Sequence, residues 1–201
     1  MHLTTERKGT KRRVIICIFL IWVGLSYGGI SSAQSRNISA APKNSCVVPK
    51  DEVQIFIAYE LYYHQPTVIV TRTQAPSFDI DSLNVEFAAQ GRGIPPDLRA
   101  AFKKKNISAC AIRPFMGAPN LRFISEAELK RASRNGRAPV SEFYERFGKS
   151  ADLNLLSRVG FNSDKTLALL HVSDLGGGDL CLLEKKNGKW EIKWHTETWA
   201  T

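Results

Sequence analysis

Asn187-Gly188 constrains this chain more than any other pair of residues in it. Both central positions of a type I′ hairpin turn need φ > 0, and Asn-Gly meets that need at low steric cost. The flanks are strand-like. Residues 189–198 alternate Trp190, Ile192 and Trp194 against Lys189, Glu191, Lys193 and His195, and a strand over 179–186 leads into the turn. Upstream, residues 166–173 form a near-continuous apolar run and Ser163-Asp164-Lys165 a turn. Before them, residues 153–162 set Leu153, Leu155, Val159 and Phe161 against Asn154, Arg158 and Gly160. The spacing predicts an antiparallel meander with one face in water. Gly176-Gly177-Gly178 is its loop, and Trp190, Ile192 and Trp194 share its core side.

The preceding residues read differently. Residues 51–64 place Val53, Phe56, Ile57 and Leu61 at helical spacing, with Asp51 and Glu52 in the first turn and Pro66 beyond the end. Residues 67–73 are mostly β-branched and short, which predicts a strand. Two helices follow, over 81–90, closed by Gly91, and over 96–106, opened by a proline in its first turn. Residues 108–120 are mostly loop and 121–124 a short strand. Ser125 and Glu128 have the spacing of a capping box for a helix running to Ser133. Asn135-Gly136 breaks that helix, and residues 140–147 form another on Phe143, Tyr144 and Phe147. Helices first and a meander afterwards give an α+β fold, N-terminal helices packed on a C-terminal antiparallel β-meander.

The N-terminus carries an address. Arg7, Lys8, Lys11, Arg12 and Arg13 precede an uncharged run from Val14 to Ile30, and Ser31-Ser32-Ala33 supplies small side chains. Together these make a signal peptide cleaved near Ala33. An uncleaved membrane anchor is the alternative, although the run is at the short edge for a spanning helix and ends in Ser26, Tyr27, Gly28 and Gly29. Either way the bulk of the chain lies across the membrane, secreted or periplasmic. The division is thus a signal over 1–33, a polar flexible arm over 34–50 and a single α+β domain over 51–201.

Cleavage shortens the chain from 201 to 168 residues and lowers the net charge from +9 to +5. That excess is ordinary for a soluble surface, and Lys103-Lys104-Lys105 reads as a helix end complementing its dipole rather than a nucleic-acid stripe. No nucleic-acid partner is expected, and contact with membrane only through the signal. Three cysteines remain. An odd number leaves one bridge plus a free thiol, an intermolecular bridge, or none. Cys181 sits in an apolar strand pattern and reads as a small buried hydrophobe, which leaves Cys46 and Cys110 as the pair to expect.

Ser157-Arg158-Val159-Gly160-Phe161-Asn162, Ala168-Leu169, and the run Leu182-Leu183-Glu184-Lys185-Lys186-Asn187-Gly188-Lys189-Trp190 resemble the C-terminal block of a widespread family of uncharacterised, mostly bacterial exported proteins. Phe102-Lys103-Lys104-Lys105-Asn106, Ile124 to Glu128, and Phe143-Tyr144 with Phe147 are weaker matches in the family's order. Many members carry a glycine- and cysteine-rich stretch with Gly-Tyr-Tyr before the third meander strand. This chain has Leu175-Gly176-Gly177-Gly178-Asp179-Leu180-Cys181 there. The resemblance implies export and this fold, with no established activity and no functional residue.

Chemistry is sparse. A metal site needs several converging ligands. The best assembly is His171, Asp174, Asp179 and His195 around one edge of the meander, and nothing in the spacing forces convergence. Ser157 or Ser173 with His171 lacks a nucleophile elbow, and Cys110 is expected to be bridged rather than nucleophilic. Gly176-Gly177-Gly178 precedes a strand rather than the helix a phosphate cradle requires. Trp199 has the parity opposite to Trp190 and Trp194, too little for a sugar-binding platform. Asn37 and Asn106 fit the glycosylation pattern. Arg158 is the charge to watch, either as an ion pair with a helix carboxylate or as the binding residue for an anionic ligand. No cofactor is expected. The pattern suits an exported non-enzymatic binding or interaction domain of the cell envelope. The alternative is a periplasmic or secreted hydrolase or enzyme inhibitor resting on His171, Asp179 and His195.

Overall fold

The structure, a computed structural model, describes residues 46–132, 139–174 and 176–200. Its elements are α1 (Lys50–Tyr63), β1 (Thr67–Val70), α2 (Ile80–Ala89), α3 (Pro96–Lys105), β2 (Leu121–Ile124), α4 (Glu126–Ala132) and α5 (Pro139–Phe147). They continue with β3 (Asp152–Leu156), β4 (Gly160–Phe161), β5 (Leu167–Ser173), β6 (Gly177–Lys186) and β7 (Lys189–Ala200). The signal, the boundary at residue 33 and Asn135-Gly136 lie outside the described residues. No helix among the described residues is long and apolar enough to cross a membrane.

β1 is β-branched at every position and wholly buried, so it takes an interior place in the sheet, parallel to β2 on one side and β3 on the other. From β3 onward the neighbours are antiparallel, giving the order β2-β1-β3-β5-β6-β7 with β4 beside β5. The fold is α+β, and the parallel strands β1 and β2 extend the C-terminal antiparallel strands into one mixed sheet. The hairpin forms as its sequence requires, with Asn187 at φ 51° and Gly188 at φ 81°. The capping box forms too: Ser125 N–H donates to Glu128 Oε2 at 2.8 Å and Glu128 N–H to Ser125 Oγ at 3.2 Å.

One wet face does not describe β5 and β6. Ala168, Leu170 and Val172 with Cys181 and Leu183 meet Ile55, Phe56 and Tyr59 of α1. The alternate residues Leu169, Leu180 and Leu182 meet Phe87 of α2 and Leu98 and Phe102 of α3. Toward the other end, Phe143 of α5 packs on Val68, Val70 and Leu153. Strands buried on both faces need apolar residues in both parities, which is what the near-continuous run over 167–173 supplies.

Three further expectations are corrected. Residues 153–162 are two strands rather than one, because the chain leaves the ladder at Ser157, Arg158 and Val159. Gly177 and Gly178 belong to β6 rather than to a loop. Third, Lys193 is an extra residue in β7, since Leu183 pairs with Ile192 but Leu182 with Trp194. Such a bulge shifts the alternation by one. Trp190 and Ile192 therefore pack on the α1 side, while Trp194 crosses to Phe87, with ring centroids 5.4 Å apart. The three do not share a side.

Candidate functional site

The break between β3 and β4 gathers a cluster of buried polar side chains. Arg158 is 7% exposed and Glu52, in the first turn of α1, is 0% exposed. The guanidinium meets the carboxylate as a fork, Nη2 to Oε1 at 2.6 Å and Nε to Oε2 at 2.8 Å. Lys105 Nζ reaches the same Oε1 at 2.7 Å, and Val159 N–H donates to Oε2 at 3.1 Å. Burial alone would raise the Glu52 carboxyl. The bonds from Arg158 and Lys105 outweigh it and hold the group below the usual carboxylate range.

Neighbouring bonds fix the same loop. Asn106 at the end of α3 accepts the Arg158 N–H at 2.9 Å and donates to the Arg158 carbonyl at 3.0 Å. Its amide thus serves structure at one of the two glycosylation-pattern positions, while Asn37 lies outside the described residues. Ser157 Oγ donates to the Arg158 carbonyl and accepts the His171 N–H. Gly160 sits against the backbone of α3: a Cβ there would lie 2.7 Å from Phe102 Cα. Asn162 Oδ1 holds the turn by accepting from Thr166 and Leu167. Each polar residue and glycine in this motif thus ties one element to another.

Arg158 has a third set of neighbours. Cys46 and Cys110 are joined by a disulfide, and Nη1 lies 3.3 Å from Cys46 Sγ and 2.5 Å from Cys110 Sγ. Cys46 is exposed and Cys110 is buried. The last residues of the segment read as a flexible arm are pinned as well, since Val48 N–H donates to the Ala111 carbonyl at 2.9 Å.

The histidines and aspartates of the sequence-derived assembly are not brought together. His171 projects to the α2 side, where its ring meets Phe78 at 4.8 Å. Asp179 and His195 lie on the α1 side, since Asp179 pairs with Val172 and His195 with Cys181. The sheet stands between them. Asp174 is spent in a turn, accepting from the backbone of Gly176 and Gly177. Asp179 is raised by burial and by Asp174 and Glu197 nearby, with His195 and a Tyr63 hydrogen bond opposing. Among the described residues no group of three His, Cys, Asp or Glu side chains could hold a metal ion. Among the described residues Cys181 is the free cysteine, fully buried, and burial pushes its thiol up.

His171 supports a test of its own. Thr198 Oγ1 donates its single proton to the Gly178 carbonyl, so His171 Nε2, at 3.1 Å, must donate to Thr198. Nε2 therefore carries a proton, and because burial lowers the pKa to about 4, the ring near neutral pH is the neutral Nε2–H tautomer. An unfolded imidazole protonates near pH 6.5. Between those values the unfolded chain binds more protons, so stability is present above pH 6.5 and is lost as pH falls toward 4. The loss is about 3 kcal/mol. Glu60, raised by burial, acts in the opposite sense. The test is therefore a comparison of urea midpoints for the wild type and His171→Gln between pH 7 and 4. The wild type is expected to fall more steeply; parallel profiles would refute the assignment.

A pocket of about 240 Å³ lies between the 75–80 loop and α3, lined by Phe78, Asp79, Phe102, Lys103 and Asn106 among others. Its polar groups are already engaged: Lys103 with Asp81, Asp79 in capping α2, and Asn106 with Arg158. A different surface is more telling. α1 is apolar on its outer side over its last two turns. Its inner residues fill the core, while Leu61 and Tyr62 on the same helix are 40% and 53% exposed. Met116, 92% exposed, follows the stretch packed on this helix, since a Cβ on the adjacent Gly117 would touch Ile57. The Tyr62 and Tyr63 rings continue the patch to His195 of β7, at centroid distances of 6.2 and 6.1 Å. The side chain of Trp199 lies outside the described residues. Comparison with protein-family models, with curated proteins and with solved structures gave no match.

Proposed function

We propose that the chain is an exported, non-enzymatic interaction domain of the cell envelope or extracellular space, with the outer face of α1 as its contact surface and a protein as its partner. One observation carries this reading: over its last two turns α1 turns apolar side chains outward as well as inward, and it leaves Leu61 and Tyr62 in water. Small ligands favour concave sites, and the pocket described above is lined by none of these residues. Tyrosine and methionine are also the residues that protein interfaces favour. The disulfide agrees with an oxidising compartment, and the N-terminal pattern and the family resemblance support export.

The test is photo-crosslinking in cells making the full chain, with a photoreactive residue in place of Tyr62 or, as a control, of Val85, which is 70% exposed on α2. A discrete adduct is expected from position 62, absent from position 85, and lost on Leu61→Ser. That substitution should change stability by less than about 0.5 kcal/mol. Identical patterns from the two positions would remove the proposed surface. An adduct of twice the chain's mass would replace the foreign partner with a second copy.

A further inference from the structure

The environment of the disulfide is asymmetric. Cys46 presents its side to solvent, while Cys110 is 1% exposed. Cys110 is also held from every side: its N–H donates to Thr73 Oγ1 at 2.8 Å, and its carbonyl accepts from Thr73 N–H at 2.9 Å. The guanidinium of Arg158 lies at its sulfur, 2.5 Å away, closer than to Cys46. Among the described groups bonded here, Arg158 and Lys105 face the single carboxylate of Glu52. Asp51, close by, is engaged with Lys165 at the surface. The cluster therefore carries one positive charge too many, and a negative sulfur at Cys110 would balance it.

Thiol–disulfide exchange depends on which sulfur can be reached and how well the departing sulfur bears charge. Here the reachable sulfur and the charge-stabilised sulfur are different atoms. We propose that Cys46–Cys110 is a thiol-exchange site, in which a small external thiolate attacks Cys46 and expels Cys110 as a thiolate held by Arg158. A bond forms between the incoming sulfur and Cys46 Sγ, and the Cys46–Cys110 bond breaks. Its electron pair leaves on Cys110 Sγ. One disulfide replaces another, and the proton of the incoming thiol goes to solvent. The product carries the small thiol on Cys46, and its buried cluster holds two charges of each sign. Arg158 then does bind an anion, one supplied by the chain itself.

Glutathione serves as the probe. The folded full-length protein is incubated with reduced glutathione near neutral pH, quenched with acid, alkylated and mapped by mass spectrometry. Glutathione is expected on Cys46 in at least tenfold excess over Cys110. Glutathione on Cys110, equal labelling of both, or no mixed disulfide in the folded protein would each overturn the proposal. A second measurement uses Cys46→Ser, which changes only the exposed partner. Thiolate absorbance of its Cys110 should appear at least one pH unit below the usual value of about 8.5; buried Cys181 ionises far above this range. Titration of Cys110 at or above 8.5 would also overturn it. Should Cys46→Ser fail to fold, the mapping of the wild type decides alone.

Discussion

Glu52→Gln is expected to lower the free energy of unfolding by about 3–5 kcal/mol, the usual cost of breaking a buried ion pair from one side. The substitution keeps the shape of the side chain and removes only its charge. It leaves Arg158, 7% exposed, and Lys105 with no carboxylate between them. Against a total stability of about 5–15 kcal/mol this is a large fraction, so the midpoint in a urea titration should move far to lower denaturant. The double variant Glu52→Gln/Arg158→Met should recover part of the loss, because a buried pair costs more when halved than when removed. A single-variant loss under about 1 kcal/mol would show that the pair is solvated and that the junction does not lock α1 to the sheet. The direction with pH follows from the depressed carboxyl. Its contribution is complete above the ordinary glutamate range and is lost as acid protonates Glu52 in the folded state.

Gly160→Ala should be nearly as damaging for a different reason. One methyl group at this position meets Phe102 N, Cα and Cβ, each at 2.7 Å, so the obstacle is helix backbone rather than a side chain that can swing aside. Relief requires α3 to lift from β4. That would loosen Leu98 and Phe102, both buried against Leu169. Overpacking of this kind costs typically 1–3 kcal/mol, and the upper end, about 3 kcal/mol, is expected here because backbone must move. Chemical denaturation measures it. A stability within about 0.5 kcal/mol of wild type would mean that α3 yields freely. Gly160 is not at positive φ, so its glycine answers to space and not to conformation.

Local signals were legible because they act over a few residues. Asn187-Gly188 and the Ser125–Glu128 box each satisfy backbone needs within one turn. The helix read over 51–64 is Lys50–Tyr63, and that read over 96–106 is Pro96–Lys105. The ion-pair reading of Arg158 required only that a lone charge among small and apolar residues find a partner. Which carboxylate it finds was not legible. Glu52 looks like an ordinary first-turn acid favoured by the helix dipole, and 106 positions separate it from Arg158. Parity counting failed wherever the ladder is interrupted. It carried residues 153–162 through the break at Ser157 to Val159, and it placed Trp194 beside Ile192 because a bulge leaves no mark in the alternation itself. The apolar outer face of α1 was present in the sequence as Ile57, Leu61 and Tyr62. Their spacing marks a helix, but a sequence does not say which side of it another element will cover.

The bulges of β7 also bear on how this molecule behaves at high concentration. Among the described strands β7 ends the sheet, so its outer backbone groups have no strand beside them. A straight edge of twelve residues would be an open template on which another chain could zip itself. Lys193 and Thr198 each stand outside the pairing register. They cut the edge into segments no longer than the four residues Lys189 to Ile192 or Trp194 to Glu197, with lysines at 189 and 193. The kink that sends Trp194 across to Phe87 thus also, with the one at Thr198, makes the rim a poor seed for fibrils.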